Sequence, residues 1–312
     1  MKALKESIMK SLTACMAIAL TLTPVALTSC SSDDDEDSPK EEPSEKYEAL
    51  GYDEPKYEKE SALYLVNASG SDIKSIELTP TGDYIVMKNN SIADEVKRQS
   101  PAIHTSALRL NHAIATRAYA DDKMAYGRYT RTGDGKYKLD GYGTIVVTGG
   151  ESNAVKLTIT LTDGRKIEVG AMKRDQYTAT AKTNAICRKW NIGKVVVHKA
   201  TGDVTYSSIE DMDRHENSGW DESEAEFEPK QVLFTKSGSY IVFFANQTLD
   251  VSTWGWTNET TGEARYSWDW DNLYGDESDV IIFAFQGKQL LVTEPSDGHL
   301  GGITYYFSEA KS

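Results

Sequence analysis

The sequence predicts a mostly antiparallel β protein, built as a sandwich or a barrel. Short runs rich in Val, Ile, Thr, Tyr and Phe recur after residue 60, and turns with Gly or Asp separate them at spacings of roughly 8 to 15 residues. This spacing is typical of antiparallel sheets and leaves no room for the long helices of a βαβ fold. An internal repeat further divides the β region into two units.

The first unit covers residues 61–175 and opens on a strand that starts at Ala62. A second segment, 155–161, alternates apolar and polar residues, and the turn at 162–165 leads it into the next strand. The Ala-rich stretch 91–122 breaks the strand pattern, so we predict a partly helical insertion there. The predicted strands of this unit are Ala62–Val66, Tyr84–Met87, Thr144–Val147, Val155–Leu161 and Lys166–Val169.

The second unit covers residues 185–312. Residues 185–190 fit a strand, which makes Cys187 a buried small apolar residue in this interpretation. The remaining strand candidates are Lys194–His198, Val232–Phe234, Tyr240–Phe244, Tyr266–Trp270, Val280–Phe285, Gln289–Thr293 and Ile303–Phe307.

The internal repeat rests on two pairs of hairpins. Residues 78–86 and 234–242 share an apolar residue, a Thr, a short turn ending in Gly and a strand that opens on Tyr. We expect a two-residue turn at Gly82 and at Gly238, because glycine reaches the positive φ that tight turns need. Farther along, segments 129–137 and 256–266 both predict hairpins with a polar Gly-containing tip.

The N-terminal segment predicts a cellular address. Lysines precede an apolar run from Ala14 to Leu27, which is the pattern of a secretory signal peptide. We expect cleavage to remove residues 1–29. Leu27-Thr28-Ser29-Cys30 resembles the lipobox of bacterial lipoproteins, in which the new N-terminal cysteine is lipidated. The acidic run behind Cys30 resembles the surface-export signal of Bacteroidetes lipoproteins. The resemblance implies an outer-membrane protein held by acyl chains on Cys30, exposed at the cell surface.

Charge excludes one class of partner. Residues 1–29 carry three lysines and one acid, so their removal takes the net charge from −14 to −16. Thirteen acids and four lysines put −9 of that charge on residues 30–60, which we interpret as a solvated, disordered linker. The remaining −7 on residues 61–312 offers no basic stripe, so binding to nucleic acid is not expected.

Motifs for catalysis are absent from the sequence. It contains no Gly-x-Ser-x-Gly, no phosphate-binding loop, no His-Glu-x-x-His and no Cys-x-x-Cys. Its five histidines are scattered without ligand spacing, so neither a metal nor a cofactor is predicted. The acidic loop 269–279 departs from the EF-hand pattern at Leu273 and Tyr274, and the sequence leaves open whether that loop binds calcium. We therefore expect a protein that is not an enzyme.

Two aromatic rows form the candidate binding site. Alternate residues of a strand share a face, so Trp254 and Trp256 form one row, and Tyr266, Trp268 and Trp270 form the other. Aromatic faces beside carboxylates bind sugars by stacking and hydrogen bonding. The same residues also fill β cores, since large side chains dominate burial. Both interpretations, ligand contact and barrel interior, remain open at this point.

Residues 185–312 resemble the lipocalin-like domains of Bacteroidetes lipoproteins. The resemblance rests on the entry segment 187–192 with Trp190, the hairpin around Gly238, the central aromatic strands and the closing segment 304–307. Residues 61–175 share the hairpin but have Leu63-Tyr64 in place of the entry Trp. The resemblance implies two antiparallel barrels or half-barrels, each of about eight strands, with Trp190 plugging one end of the second. It implies no particular ligand.

Two functions fit these expectations. In the first, the second barrel is a binding module for a small apolar ligand or a glycan, held against Trp254, Trp256, Tyr266, Trp268 and Trp270. In the alternative, both β domains are filled by their own side chains, and the protein is an accessory subunit with an outer-membrane protein partner.

Overall fold

The computed structural model describes residues 51–89, 124–149, 153–217, 219–267, 278–295 and 302–311. The signal peptide, Cys30 and most of the acidic linker lie outside this part of the chain. The insertion at 91–122, Trp268, Trp270 and all but the end of the acidic loop 269–279 do so as well. Predictions that fall on those residues stay predictions.

Eight antiparallel strands form a closed barrel in the first half of the chain, as the resemblance implied. Each strand pairs with the next, and β8 returns to pair with β1 through Leu65 and Met172. The strands are β1 (Ala62–Val66), β2 (Ile73–Leu78), β3 (Asp83–Lys88), β4 (Met124–Gly133), β5 (Lys136–Leu139), β6 (Gly143–Gly149), β7 (Ala154–Leu161) and β8 (Lys166–Lys173).

The second barrel closes around one long strand, β9 (Lys189–Lys199). The first residues of β9 pair with β11, its last residues pair with the short strand β10, and its other edge pairs with β17. The barrel wall therefore consists of β9 and β11 to β17, all antiparallel. The bounds are β10 (Gly202–Tyr206), β11 (Pro229–Phe234), β12 (Ser239–Phe244), β13 (Leu249–Asn258), β14 (Glu263–Ser267), β15 (Ser278–Gln286), β16 (Gln289–Glu294) and β17 (Ile303–Glu309).

The described part of the second barrel includes two α-helices. Helix α1 (Ala181–Ile186) precedes β9 and begins at Thr180, whose side chain accepts a hydrogen bond from the Thr183 amide. Helix α2 (Ile209–Glu216) follows β10 and begins at Ser208 in the same way. A one-turn 3₁₀ helix occupies Glu58–Glu60, and a longer 3₁₀ helix occupies Glu222–Phe227.

The structure corrects three details of the sequence prediction. Residues 185 and 186 end a helix rather than continuing a strand, and Cys187 caps that helix. Cys187 is nevertheless buried, as expected. The turns before β3 and β12 are four residues long instead of two, because Thr79 and Thr235 each add a side-chain hydrogen bond that stabilises the longer loop.

The internal repeat is confirmed down to individual hydrogen bonds. Gly82 and Gly238 both adopt φ of +84°. Each accepts a bond from the following hairpin, Tyr129 N–H to the Gly82 carbonyl at 2.9 Å and Trp254 N–H to the Gly238 carbonyl at 2.8 Å. The second pair of hairpins matches as well: a Cβ on Gly135 would lie 2.5 Å from the carbonyl oxygen of Val147, and one on Gly262 would lie 2.3 Å from that of Phe283.

Side chains fill the two barrels. The interior of the first combines aliphatic residues with tyrosines, among them Tyr64, Tyr84, Tyr129 and Tyr137. The interior of the second is richer in large rings, with Trp190, Trp254 and several phenylalanines and tyrosines. Burying such side chains is the dominant favourable term in folding, worth about 1.5 to 3 kcal/mol for each large apolar residue.

A third buried cluster joins the barrels. It combines residues from β3 and β4 with residues from β11, β12 and β13, so the outer faces of both sheets pack together. A hydrogen bond from Tyr126 Oη to the Gln247 carbonyl, at 3.4 Å, also crosses between them. The buried members of the cluster are Ile85, Met124, Leu233, Ile241, Leu249 and Val251.

Within the described residues, no helix has the length and apolar character needed to span a membrane.

Candidate functional site in the second barrel

One end of the second barrel is sealed by helix α1 and the entry tryptophan. Trp190 is 0% exposed, and its indole N–H donates to the Ile186 carbonyl at 2.9 Å. Its ring meets the edge of Tyr52 and packs near Phe285. This arrangement confirms the expectation that Trp190 plugs an end of the barrel.

A buried arginine reinforces the seal. The Arg188 guanidinium donates to Glu309 Oε1 at 2.6 Å and to the carbonyls of Ala185 and Asn184. Its planar head also lies 4.3 Å from the ring centre of Tyr52. A buried cation needs this many partners because losing water would otherwise cost several kcal/mol. One side chain therefore ties the end of the barrel to several backbone and side-chain acceptors.

Two of the predicted ligand residues lie beside this seal. Trp254 is 0% exposed, and its N–H donates to the Thr235 carbonyl at 3.0 Å. Trp256 is partly buried, and its N–H donates to Thr183 Oγ1 in helix α1, also at 3.0 Å. The two rings meet edge to face with centres 5.5 Å apart. Both indole N–H groups are thus used inside the protein, which is the geometry of core packing.

Tyr266, the third described residue of the predicted set, has different surroundings. Its ring packs on Tyr240 at 5.7 Å between centres, and its hydroxyl donates to Glu294 Oε1 at 3.4 Å. The Tyr305 hydroxyl donates to the second oxygen of Glu294, also at 3.4 Å. Because Glu294 pairs with Ile303, and Ile303 pairs with Val197, this group lies at the end of β9 away from Trp190.

A small cavity lies within this polar group. It encloses about 10 Å³, which is room for about one water molecule. Aromatic and aliphatic side chains form most of its wall, and the tyrosine hydroxyls with the Glu294 carboxylate supply its polar part. The lining residues are Phe234, Tyr240, Tyr266, Ile281, Val292, Glu294, Tyr305 and Phe307.

Two tyrosines of the cavity, Tyr240 and Tyr266, keep their protons at physiological pH. Burial raises the pKa of Tyr240 and of Tyr266 well above the usual value of 10.0, and the negative charge of Glu294 raises both further. Their hydroxyls therefore act as hydrogen-bond donors rather than as phenolates. This group offers hydrogen bonds and ring faces to a bound molecule.

Neither a metal cluster nor an activated cysteine is present among the described residues. No three of their His, Cys, Asp or Glu side chains cluster closely enough to hold a metal ion. Burial raises the pKa of the Cys187 thiol far above its usual value of 9.0, so this cysteine is not an activated nucleophile.

No protein-family model matches the chain, and no curated protein matches it. The likeness of residues 185–312 to lipocalin-like lipoprotein domains therefore rests on the motifs quoted above.

Sequence reasoning missed Glu294, Tyr240 and Tyr305 as members of a site. The sequence marked Tyr240 only as the first residue of a strand in the internal repeat. Glu294 is the last residue of its strand, where the alternation that identifies interior positions stops. Their convergence follows from the curvature of the barrel, since β12 lies far along the chain from the neighbouring strands β16 and β17. Local sequence carries no signal for such a contact.

Proposed function

We propose that this chain is a lipid-anchored outer-membrane protein, exposed at the cell surface, whose two filled barrels form a non-catalytic accessory body for a protein partner. The small size of the cavity in the second barrel carries this proposal. A pocket for a small molecule usually measures some 300 to 1,000 Å³, and the space beside Glu294 is about 10 Å³. An acyl chain or a sugar ring does not fit inside it.

The packing of the two barrels supports the same proposal. A shared apolar cluster and hydrogen bonds hold them side by side, so they present one extended outer surface. Among the described residues, the large apolar side chains that remain exposed are Tyr126, Met172 and Ile282. Aromatic residues and methionine are enriched where protein interfaces form. The anchor predicted at Cys30 would keep this surface close to other outer-membrane proteins.

Site-specific photo-cross-linking tests the proposal. A photoreactive phenylalanine analogue replaces Tyr126, Met172 or Ile282 in the full chain, and intact cells of the source organism are irradiated. We expect a single discrete adduct from at least one of these positions. Lys138 and Lys156, exposed on the first barrel, are the control positions and should give none. If all five positions give only the monomer, the accessory role is wrong.

The tyrosines around Glu294 favour a second candidate, a site for one hydroxyl group of a glycan at the mouth of the second barrel. The cavity holds about one water, and a sugar hydroxyl is of similar size. Such a group would join the hydrogen bonds of Tyr266, Tyr305 and Glu294, while the rest of the glycan stays outside the barrel. The lining favours a glycan hydroxyl over an apolar ligand, because two tyrosine hydroxyls and a carboxylate converge on it.

A glycan array followed by calorimetry on the full chain tests this candidate. Replacing Glu294 by Gln removes the charge that accepts the hydrogen bonds, so we expect the affinity to fall about tenfold or more, the size of a charge-assisted hydrogen bond. Glu210→Gln, on helix α2, is the matched control and should change it less than about twofold. An array without a single bound glycan, or equal affinities in both variants, would refute this candidate.

A further inference from the structure

A carboxyl group is buried where the two barrels meet. Glu77 lies on β2, paired with Leu63 and Ile85 on the neighbouring strands, and it is only 2% exposed. Thr235 Oγ1, in the turn before β12, donates a hydrogen bond to Glu77 Oε1 at 3.1 Å. Ser239, the first residue of β12, gives the same carboxyl a second side-chain hydrogen bond. Glu77 belongs to the first barrel, and both of these partners belong to the second.

The surroundings of Glu77 are mainly apolar, with few charges. Arg174, which follows β8, is the cation whose field acts on Glu77. The other charged groups of this interface are already paired. Lys236 Nζ lies 2.7 Å from Glu58 Oε1. Asp83 lies 2.7 Å from Arg128 and 3.9 Å from Lys189.

Burial has the largest effect on the carboxyl. Loss of water raises the pKa of Glu77 from 4.5 to about 7, and the hydrogen bonds from Thr235 and Ser239 with the Arg174 charge offset only part of this rise. If the barrels separate, the carboxyl returns to water. The protonation state of Glu77 is thus linked to contact between the barrels.

We propose that Glu77 is a pH-sensitive latch: in its protonated form it lets the two barrels pack tightly, and loss of the proton loosens their contact. The latch goes beyond the proposed function, since it concerns how the contact between the barrels responds to pH and needs neither a partner nor a ligand.

The direction of the pH response follows from the linkage between proton binding and packing of the barrels. The packed form binds the proton more tightly than the separated form, so packing is strongest below pH 4.5 and weakens as the pH rises from 4.5 to about 7. Over the full titration, from well below pH 4.5 to well above pH 7, the opening equilibrium constant grows about 300-fold. Between about pH 5.5 and about pH 8 we expect a rise of roughly 30-fold.

Thiol labelling at the interface measures this opening. Val251→Cys places a thiol of similar volume in the shared apolar cluster, and a water-soluble disulfide reagent reaches it only when the barrels part. The labelling rate of the full chain, divided by its rate in urea at the same pH, gives the opening constant free of thiol ionisation. The same chain without the Val251 change reports the reagent uptake at its native cysteines, including the buried Cys187.

The decisive comparison is with Glu77→Gln, which keeps the shape of the neutral carboxyl. We expect the roughly 30-fold rise when Glu77 is present and a change below about twofold in the Glu77→Gln variant. Glu168→Gln, an exposed carboxylate paired with Lys156, is the control and should keep the full rise. An equal rise in the Glu77→Gln variant, or a flat response with Glu77 present, would overturn the latch.

A second variant keeps the proposal testable if Glu77→Gln fails to fold. Thr235→Val removes a hydrogen bond that favours the ionised carboxylate, so the midpoint of the pH response should move to higher pH. A midpoint that stays in place, or moves down, would contradict the assignment to Glu77.

Discussion

Replacing Trp190 by Ala is expected to lower the free energy of unfolding by about 4 kcal/mol, as for other fully buried tryptophans. The ring is 0% exposed and touches Tyr52 and Phe285, and its N–H satisfies the Ile186 carbonyl at the end of helix α1. Alanine leaves a cavity and removes one of the two hydrogen bonds that the Ile186 carbonyl accepts, so that only the bond from the Arg188 N–H remains. The loss is a large share of the stability of a typical domain, which is about 5 to 15 kcal/mol.

Urea denaturation followed by circular dichroism measures this change. Trp220→Ala is the control, because that ring is partly exposed and is covered mainly by Arg214, 4.5 Å from its centre. We expect the control to cost less than about 1 kcal/mol. If Trp190→Ala costs no more than Trp220→Ala, Trp190 does not hold the end of the barrel as described.

Replacing Gly143 by Ala is expected to cost about 4 kcal/mol in the first barrel. Gly143 has φ of +144°, which L-residues rarely adopt. A Cβ there would lie 2.0 Å from the Thr160 carbonyl oxygen and 2.9 Å from Leu161 Cα, both backbone atoms of β7. Strand β7 would have to move away from β6, and the barrel would lose part of its hydrogen bonding.

Gly170→Ala is the matched control within the same sheet. Gly170 lies on β8 with an ordinary φ, and a Cβ there meets nothing within 4 Å. Alanine should therefore stabilise the barrel by about 0.5 to 1 kcal/mol, because it restricts the unfolded chain. Opposite signs for the two glycines are the expected result, and a loss at Gly170 as large as at Gly143 would contradict it.

Tryptophan fluorescence adds a second readout to both experiments. All six tryptophans lie in residues 190–270, so their emission reports on the second barrel alone. Circular dichroism reports on both barrels. For Gly143→Ala, coincident transitions by the two methods would show that the barrels unfold as one cooperative unit.

Much of the fold was predictable because it depends on local patterns. The alternation of apolar and polar residues at 155–161 predicted β7. The glycines at 82 and 238 predicted the hairpins that lead into β3 and β12. Short-range turn chemistry and side-chain periodicity decide such elements. Helix α1 was missed because it is six residues long, too short for a helical period to stand out, and its start depends on the cap at Thr180.

The candidate site was harder to predict, since its residues meet only through barrel closure. The sequence grouped Trp254, Trp256 and Tyr266 by their alternation along two strands, and those three side chains are indeed buried or partly buried. Nothing in the sequence indicated that the two tryptophans lie near helix α1 while the Tyr266 hydroxyl contacts Glu294. Whether any of them contacts a ligand stays a prediction, as it does for Trp268 and Trp270.

The pairing of β9 with β17 sets the order in which the barrels can be completed as the chain is made. The first ring closes when residues 171–173 reach β1, with the whole second half of the chain still to come. The second ring stays open until residues 303–309 arrive, and until then β9 and β16 each present a row of unpaired backbone groups, a known route to aggregation. The finished first barrel, with Glu77 and Ile85 on its outer face, is therefore available as a surface on which β11 and β12 can settle during that exposed interval.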